Sequence, residues 1–194
     1  MIAYYDYIGT IEIYFSVLNA IIGEERSSMI DLGCAFAPNT AQLRFRNRTY
    51  VDAIERNLDH PSEQQFFHKI DILEHDWEGH HYHTAFALDL IEHLTLGDGN
   101  RLLSIMSSIS DRQILFTPLD DLFGMATDDN KDPEAHRSLW NPDLVKEYAS
   151  LVFPNYHPAW NGGSFFFFKT NNTEKDFIAV KQKLKDYGIY ERNV

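Results

Sequence analysis

The residues best placed to do chemistry begin with the run Met29-Ile30-Asp31-Leu32-Gly33-Cys34-Ala35-Phe36-Ala37-Pro38. An apolar segment carries an acid near its end, a glycine turns the chain, and small residues follow, so a ligand can come close to the backbone. A helix after such a turn offers free N–H groups and a partial positive charge, which suits a carboxylate or phosphate. Alone, the run also reads as an ordinary strand-to-helix turn, because short glycine motifs are weakly specific. Two acids downstream sharpen it. Asp52 ends Tyr50-Val51-Asp52 roughly twenty positions on, where a carboxylate can accept both hydroxyls of a ribose. Asp71 ends Lys69-Ile70-Asp71 and can hydrogen-bond an exocyclic amine while Ile72 packs on a base. Any one of these acids alone reads as a helix cap or a solvated strand end. The ordered set, at the ends of successive strands, points to one shared recess.

A second group is Asp89, Glu92 and His93, joined from a later loop by His136. Oxygen and imidazole ligands together suit a divalent metal. His93 and His136 are also candidate general bases, because unperturbed histidine titrates near neutrality. The structural alternatives are a loop-capping role for His93 and a helix-start hydrogen bond for His136. His75, His80, His81 and His83 sit in a polar loop and read as solvated surface. Arg44, Arg46 and Arg48 alternate near a strand edge, where such charges discourage edge pairing.

The elements that must position these groups follow from hydrophobic spacing. Residues 3–22 read as a leading helix closed by Gly23, and residues 1–27 as a helical extension or lid on a globular unit of residues 28–194. Strands are expected over 29–32, 49–54, within 66–72, over 84–88 and over 113–117. Helices are expected over 40–45, 100–109 and 142–151, with a charged amphipathic helix over 174–187. Asn161-Gly162-Gly163, flanked by 156–160 and 164–170, is a hairpin signal. The polar stretch 120–133 reads as a long binding loop. Strands alternating with helices predict a parallel sheet with ligands at the carboxyl ends of its strands.

The chain has 194 residues with 44% apolar and 24% charged side chains, enough for one domain with a full core. The net charge of −12 argues against non-specific binding to nucleic acid or an anionic membrane. One cysteine excludes an intramolecular disulfide and a Cys-rich zinc site. The start lacks the basic region and cleavage site of a signal peptide, and no apolar run is long enough to span a bilayer. A cytoplasmic protein is expected. The oligomeric state is open, a homodimer being one option.

With these residues in place, the sequence resembles the class I S-adenosylmethionine-dependent methyltransferases over about residues 28–170. Ile30-Asp31-Leu32-Gly33-Cys34 is similar to the family's first motif, Asp52 to its ribose-binding acid, and Asp71-Ile72 to its adenine-side motif. Ala85 to Leu94, ending Glu92-His93-Leu94, resembles the fourth-strand segment. Ile114-Leu115-Phe116-Thr117-Pro118 resembles the fifth strand, and His136-Arg137-Ser138-Leu139-Trp140 resembles a stretch seen in small-molecule members. The resemblance implies an α/β, Rossmann-like sheet of seven strands, mostly parallel, with a C-terminal antiparallel hairpin and helices on both faces. It implies S-adenosylmethionine as cofactor, held by Asp31, Gly33, Ala35, Asp52, Asp71, Ile72 and Asp89. It implies methyl transfer to an oxygen or nitrogen of a small-molecule acceptor, with His93 and His136 as the catalytic candidates. Trp140, Trp160 and Tyr156 read first as core packing, with lining of the acceptor pocket as the alternative.

Two further readings stand beside this one. The family usually has glycines where this chain has Ala35 and Ala37, and alanine fits such a turn at negative φ. Those methyl groups motivate a non-catalytic, methyltransferase-like binding or scaffold protein, for which a crowded cavity at Gly33–Ala37 is expected. Asp89, Glu92, His93 and His136 also resemble the Glu-x-x-Glu-His…His metal set of RNA 2′-O-methyltransferases, with Asp89 in place of the first Glu.

Overall fold

Short runs of β-branched and aromatic residues, separated by glycine and polar turns, build one twisted sheet. The computed structural model describes residues 3–6, 11–37, 39–55, 57–58, 65–118, 125, 132–145, 151–152, 164–170 and 174–191. In chain order the elements are β1 (Ala3–Asp6), α1 (Ile11–Ile22), β2 (Ser28–Leu32), β3 (Asn47–Asp52), β4 (Gln65–Lys69) and β5 (Tyr82–Leu88). A 3-10 turn (Ile91–His93), α2 (Leu96–Ile109), β6 (Ser110–Pro118), α3 (Pro142–Val145) and β7 (Leu151–Val152) follow. The last elements are β8 (Ser164–Thr170), α4 (Glu174–Asp186) and β9 (Tyr190–Glu191).

The main sheet has the order β4-β3-β2-β5-β6-β8. Its first five strands are mutually parallel, and β8 runs antiparallel to β6. From β2 the chain moves to β3 and β4 on one side, then returns to β5 on the other. That reversal opens a crevice at the carboxyl ends of β2 and β5, where open α/β sheets bind ligands.

Alternation along each strand feeds two cores. Met29, Tyr50, Phe86, Ile114 and Phe116 join one core with the buried half of α1 and with Val180 and Leu184 of α4. Ile30, Val51, Ala85, Ala87 and Leu115 join the other, with Leu102, Leu103, Met106 and Ile109 of α2. Helices therefore cover both faces, as a parallel sheet requires. Each fully buried leucine or isoleucine here is worth about 1.5–3 kcal/mol relative to exposure.

Several expectations are corrected. The leading helix starts at Ile11, and residues 3–6 form β1, which lies between β7 and β9 in a separate three-stranded sheet. The adjacent Tyr4 and Tyr5 favour a strand, and Gly9 separates them from the helix in the sequence. No helix forms over 40–45; turns replace it, with the single four-residue bond Ala41 N–H to Ala37 C=O. α2 begins at Leu96 rather than 100, because Thr95 caps it: its Oγ1 accepts from Asp98 N at 3.2 Å and donates to Asp98 Oδ2 at 2.9 Å. The glycines at 97 and 99 hide that start. Six strands of the main sheet lie among the described residues. The hairpin's first arm (156–160), nearly all of the loop 120–133 and residues 146–150 of the helix expected over 142–151 lie outside the described residues, while Leu151 belongs to β7 and not to that helix.

Ala35 and Ala37 sit at φ 47° and 54°, in the left-handed region and not at the negative φ expected for alanine. That conformation costs an alanine roughly 1–2 kcal/mol, while glycine adds about 0.5–1 kcal/mol of unfolded-state entropy. Ala35→Gly should therefore stabilise the protein by about 0.5–1 kcal/mol. Ala37 is buried, and losing its methyl forfeits about 0.8 kcal/mol, so Ala37→Gly should be near neutral. Thermal melts of the two single variants distinguish these outcomes.

Candidate functional site

The turn after β2 is fixed from the neighbouring strand. The N–H groups of Gly33 and Cys34 both donate to Val51 C=O, at 2.8 and 3.1 Å. Gly33 has φ 67°, and a Cβ there would come within 2.6 Å of Leu90 Cδ1, so its identity is set by both backbone and space. Asp52, at the end of β3, accepts Ala35 N–H at 2.9 Å on Oδ2 and Ile54 N–H at 2.8 Å on Oδ1. A carboxylate has about four lone-pair sites, so acceptor capacity remains on both oxygens. Asp71 follows β4, takes Leu73 N–H at 3.0 Å and stays exposed, while Ile72 beside it is buried.

These groups border a cavity of about 330 Å³ lined by Gly33, Ala35, Asp52, Asp71, Ile72 and Asp89. A second hollow of about 200 Å³ adjoins it and is lined by Asp31, Cys34, Asn39 and Leu88. The two share Gly33, Ala35, Asp89, His93 and Glu134. All seven residues expected on the cofactor side thus line one connected recess. The helix expected to aim its N-terminal N–H groups there is absent. A larger hollow of about 740 Å³ lies at the opposite ends of the strands. Within it Lys183 pairs with Glu24 and His81 lies 3.3 Å from Asp111.

Electrostatically the recess is acidic. Asp31 is buried and accepts a hydrogen bond from the Thr40 hydroxyl. Burial, opposed by Thr40 and reinforced by Asp52, pushes its carboxyl up to about 7. Asp89 is open to solvent, so the upward push of the surrounding protein on it counts for less than at Asp31. Glu92 is buried, with Thr117 donating to its Oε2 at 2.9 Å. Burial and then Asp89 raise its carboxyl to about 8. Burial also drives the Cys34 thiol up, so it is not a poised nucleophile.

His93 lines both hollows, and its ring centroid lies 5.0 Å from that of His136 at an interplanar angle of 71°. Burial and the proximity of His93 lower the His136 pKa, which favours neutral imidazole. Glu92, His93 and His136 each offer a ligand atom, all within 4.8 Å of one another. Asp89 is outside that group and borders the cavity instead, so the expected four-residue ligand set becomes three. Trp140 is buried in the core beside α2, in line with core packing and not with the alternative of an acceptor-pocket lining. The histidines at 75, 80, 81 and 83 form no metal-spaced group among the described residues.

Sequence spacing missed Leu90, Glu134 and Arg137, which also line the recess. Arg137 lay within a quoted motif and Glu134 just before it, yet neither carried a directional signal.

No family model and no curated protein sequence matches the chain. Solved structures do match. The N-methyltransferase NodS of Bradyrhizobium japonicum WM9 aligns at TM-score 0.60 and 10% identity, over 84% of this chain and 96% of that one. Magnesium protoporphyrin IX methyltransferase from Synechocystis PCC 6803, solved with S-adenosylhomocysteine, aligns at TM-score 0.59 and 15% identity, over 84% and 81%. Burkholderia thailandensis 1,6-didemethyltoxoflavin-N1-methyltransferase, solved with 1,6-didemethyltoxoflavin and S-adenosylhomocysteine, aligns at TM-score 0.57 and 16% identity, over 81% and 77%. The chain therefore has the class I S-adenosylmethionine-dependent methyltransferase fold.

The state of Asp31 makes stability depend on pH. Its folded pKa of about 7 lies above the unfolded value of about 3.9. Its stabilising contribution is complete below about pH 4 and is lost as pH rises toward 7. Asp31→Asn mimics the protonated form, still accepts from Thr40, and should remove that part of the slope. Urea unfolding at pH 5 and pH 8 should show the variant gaining on the wild type at the higher pH, by about 3 kcal/mol at most.

Proposed function

We propose that this chain transfers a methyl group from S-adenosylmethionine to an oxygen or nitrogen of a small-molecule acceptor. The observation that carries the reading is the convergence of Asp31, Gly33, Ala35, Asp52, Asp71, Ile72 and Asp89 on one recess at the reversal point of this sheet. The donor set fits that cofactor. Asp31 is a buried carboxylate with no ion pair among the described residues, as a site for a cationic ligand would have. Asp52 keeps acceptor capacity for two ribose hydroxyls, and Asp71 with Ile72 and Leu90 suits an adenine. When bound, the cofactor supplies an electrophilic sulfonium methyl group; alignment and exclusion of water fall to the protein. His93 borders the space beside the cofactor residues, and His136 backs it. Imidazoles there suit removal of a proton from the acceptor's hydroxyl or amine. The recess is open at Gly33 and Ala35, without the plug that a purely structural relative would have.

In this reading residues 28–194 form the catalytic domain, and residues 1–27 are an N-terminal addition anchored in its core through α1. A seven-stranded sheet with a C-terminal antiparallel hairpin belongs to this reading. The protein works in the cytoplasm. No helix among the described residues is long and apolar enough to cross a membrane.

A second reading rests on the Glu92, His93 and His136 group. Two imidazoles and a carboxylate at ligating separation fit a divalent cation, as in the metal-dependent RNA 2′-O-methyltransferase reading. The net charge of −12 supports a small acceptor over a nucleic acid. Titration with Co²⁺, followed by its visible absorption, separates the readings: a stoichiometric band lost in His136→Ala supports the metal, and a flat spectrum at millimolar Co²⁺ removes it.

Calorimetry with S-adenosylhomocysteine and S-adenosylmethionine tests the main reading. Saturable binding is expected, and no heat at millimolar ligand would remove the reading. Asp52→Ala should weaken binding by about 1–3 kcal/mol through lost charged hydrogen bonds. It should also loosen the turn through the lost Ala35 contact. Unchanged affinity in the folded variant would mean that Asp52 does not hold the ribose.

A further inference from the structure

The segment carrying His136 is bound to the 3-10 turn carrying His93 by a dense set of hydrogen bonds. Glu92 C=O accepts from Arg137 N–H at 2.7 Å and from Ser138 N–H at 3.1 Å. The Ser138 hydroxyl lies 2.8 Å from Leu94 C=O and 3.2 Å from Ile91 C=O, so its one proton bridges both ends of the turn. The same oxygen accepts Trp140 Nε1–H at 2.8 Å. Ser138 and Trp140 are buried, at 3% and 1% exposure, so none of these bonds is exchanged freely with water.

Trp140 is seated by α2. A Cβ at Gly99 would lie 2.2 Å from Trp140 Cζ2 and 3.1 Å from Ile91 Cγ1. The bare backbone at Gly99 is therefore what lets the indole close over the helix with its N–H facing Ser138. α2 favours alanine over glycine by about 1 kcal/mol, so a glycine there is costly for the helix and is explained by this contact.

We propose that Ser138 is a positioning residue that, with Trp140 seated on Gly99, brings His136 against His93 at the edge of the recess. The proposal rests on the methyl-transfer reading only for the use made of the pair; the arrangement itself is independent of any ligand. Ser138 lines neither hollow, so its effect reaches the site through the two histidines.

The test is a nuclear Overhauser measurement between the imidazole ring protons of His93 and His136 in the full chain, with chelator and without cofactor. Rings at the observed separation give a cross-peak in the wild type. Ser138→Ala and, independently, Gly99→Ala should each weaken it several-fold. Both variants should still bind S-adenosylhomocysteine, since Asp31, Gly33, Asp52 and Asp71 are held by other strands. Ser138→Thr, which keeps the hydroxyl, should retain more of the cross-peak than Ser138→Ala. A cross-peak of wild-type strength in folded Ser138→Ala overturns the proposal. Should that variant not fold, a wild-type cross-peak in Gly99→Ala overturns it. Failure of the wild type to bind S-adenosylhomocysteine would sink the methyl-transfer reading and leave this proposal standing.

Discussion

The carboxylate of Asp52 holds the site in register. One oxygen secures the left-handed turn after β2 through Ala35, and the other secures the exit from β3 through Ile54. Val51 C=O reinforces the same junction by accepting two N–H groups from the turn. Parallel strands are joined by long crossovers, so their ends do not find each other locally. A charge-assisted link between adjacent strand ends supplies that coupling. With it in place, Asp31, Asp52 and Asp71 border one recess.

The recess is costly for the empty protein. Burying a carboxylate without a cation disfavours its charged form, and Asp31 and Glu92 both carry that penalty. Two strained alanines add to it. Stability is recovered elsewhere, in the two cores that sandwich the sheet. Strain and buried charge of this kind are common where a fold trades stability for a functional recess.

The sheet's parallel part was legible because its strands are apolar runs with clear stops: Gly33 after β2, Asp52 after β3 and Pro118 at the end of β6. The acids that border the recess were legible because Asp31, Asp52 and Asp71 lie at or just beyond strand ends. The start of α2 was hidden by Gly97 and Gly99, whose poor helix propensity is outweighed by the Thr95 cap and by Trp140 packing. The helix expected over 40–45 failed because Thr40 is committed to Asp31 and Arg48 donates to Ala41 C=O at 3.1 Å, tertiary bonds that local periodicity does not encode. The three-residue composition of the ligand group was likewise invisible: spacing places Asp89 near Glu92, but its φ of 54° comes from a turn that proximity in sequence does not reveal. The role of Ser138 needed coordinates, since its partners lie far away in the chain.

The small sheet of β7, β1 and β9 has a consequence for biosynthesis. Tyr5 pairs with Glu191 and Asp6 with Tyr190, so this pairing must wait for a segment synthesised much later than β1. Contacts between segments so far apart in the chain close late, after the loop entropy has been met by everything between them. The parallel strands β2 to β6 can assemble during translation, whereas β1 gains β7 and then β9 only once those later segments have been made.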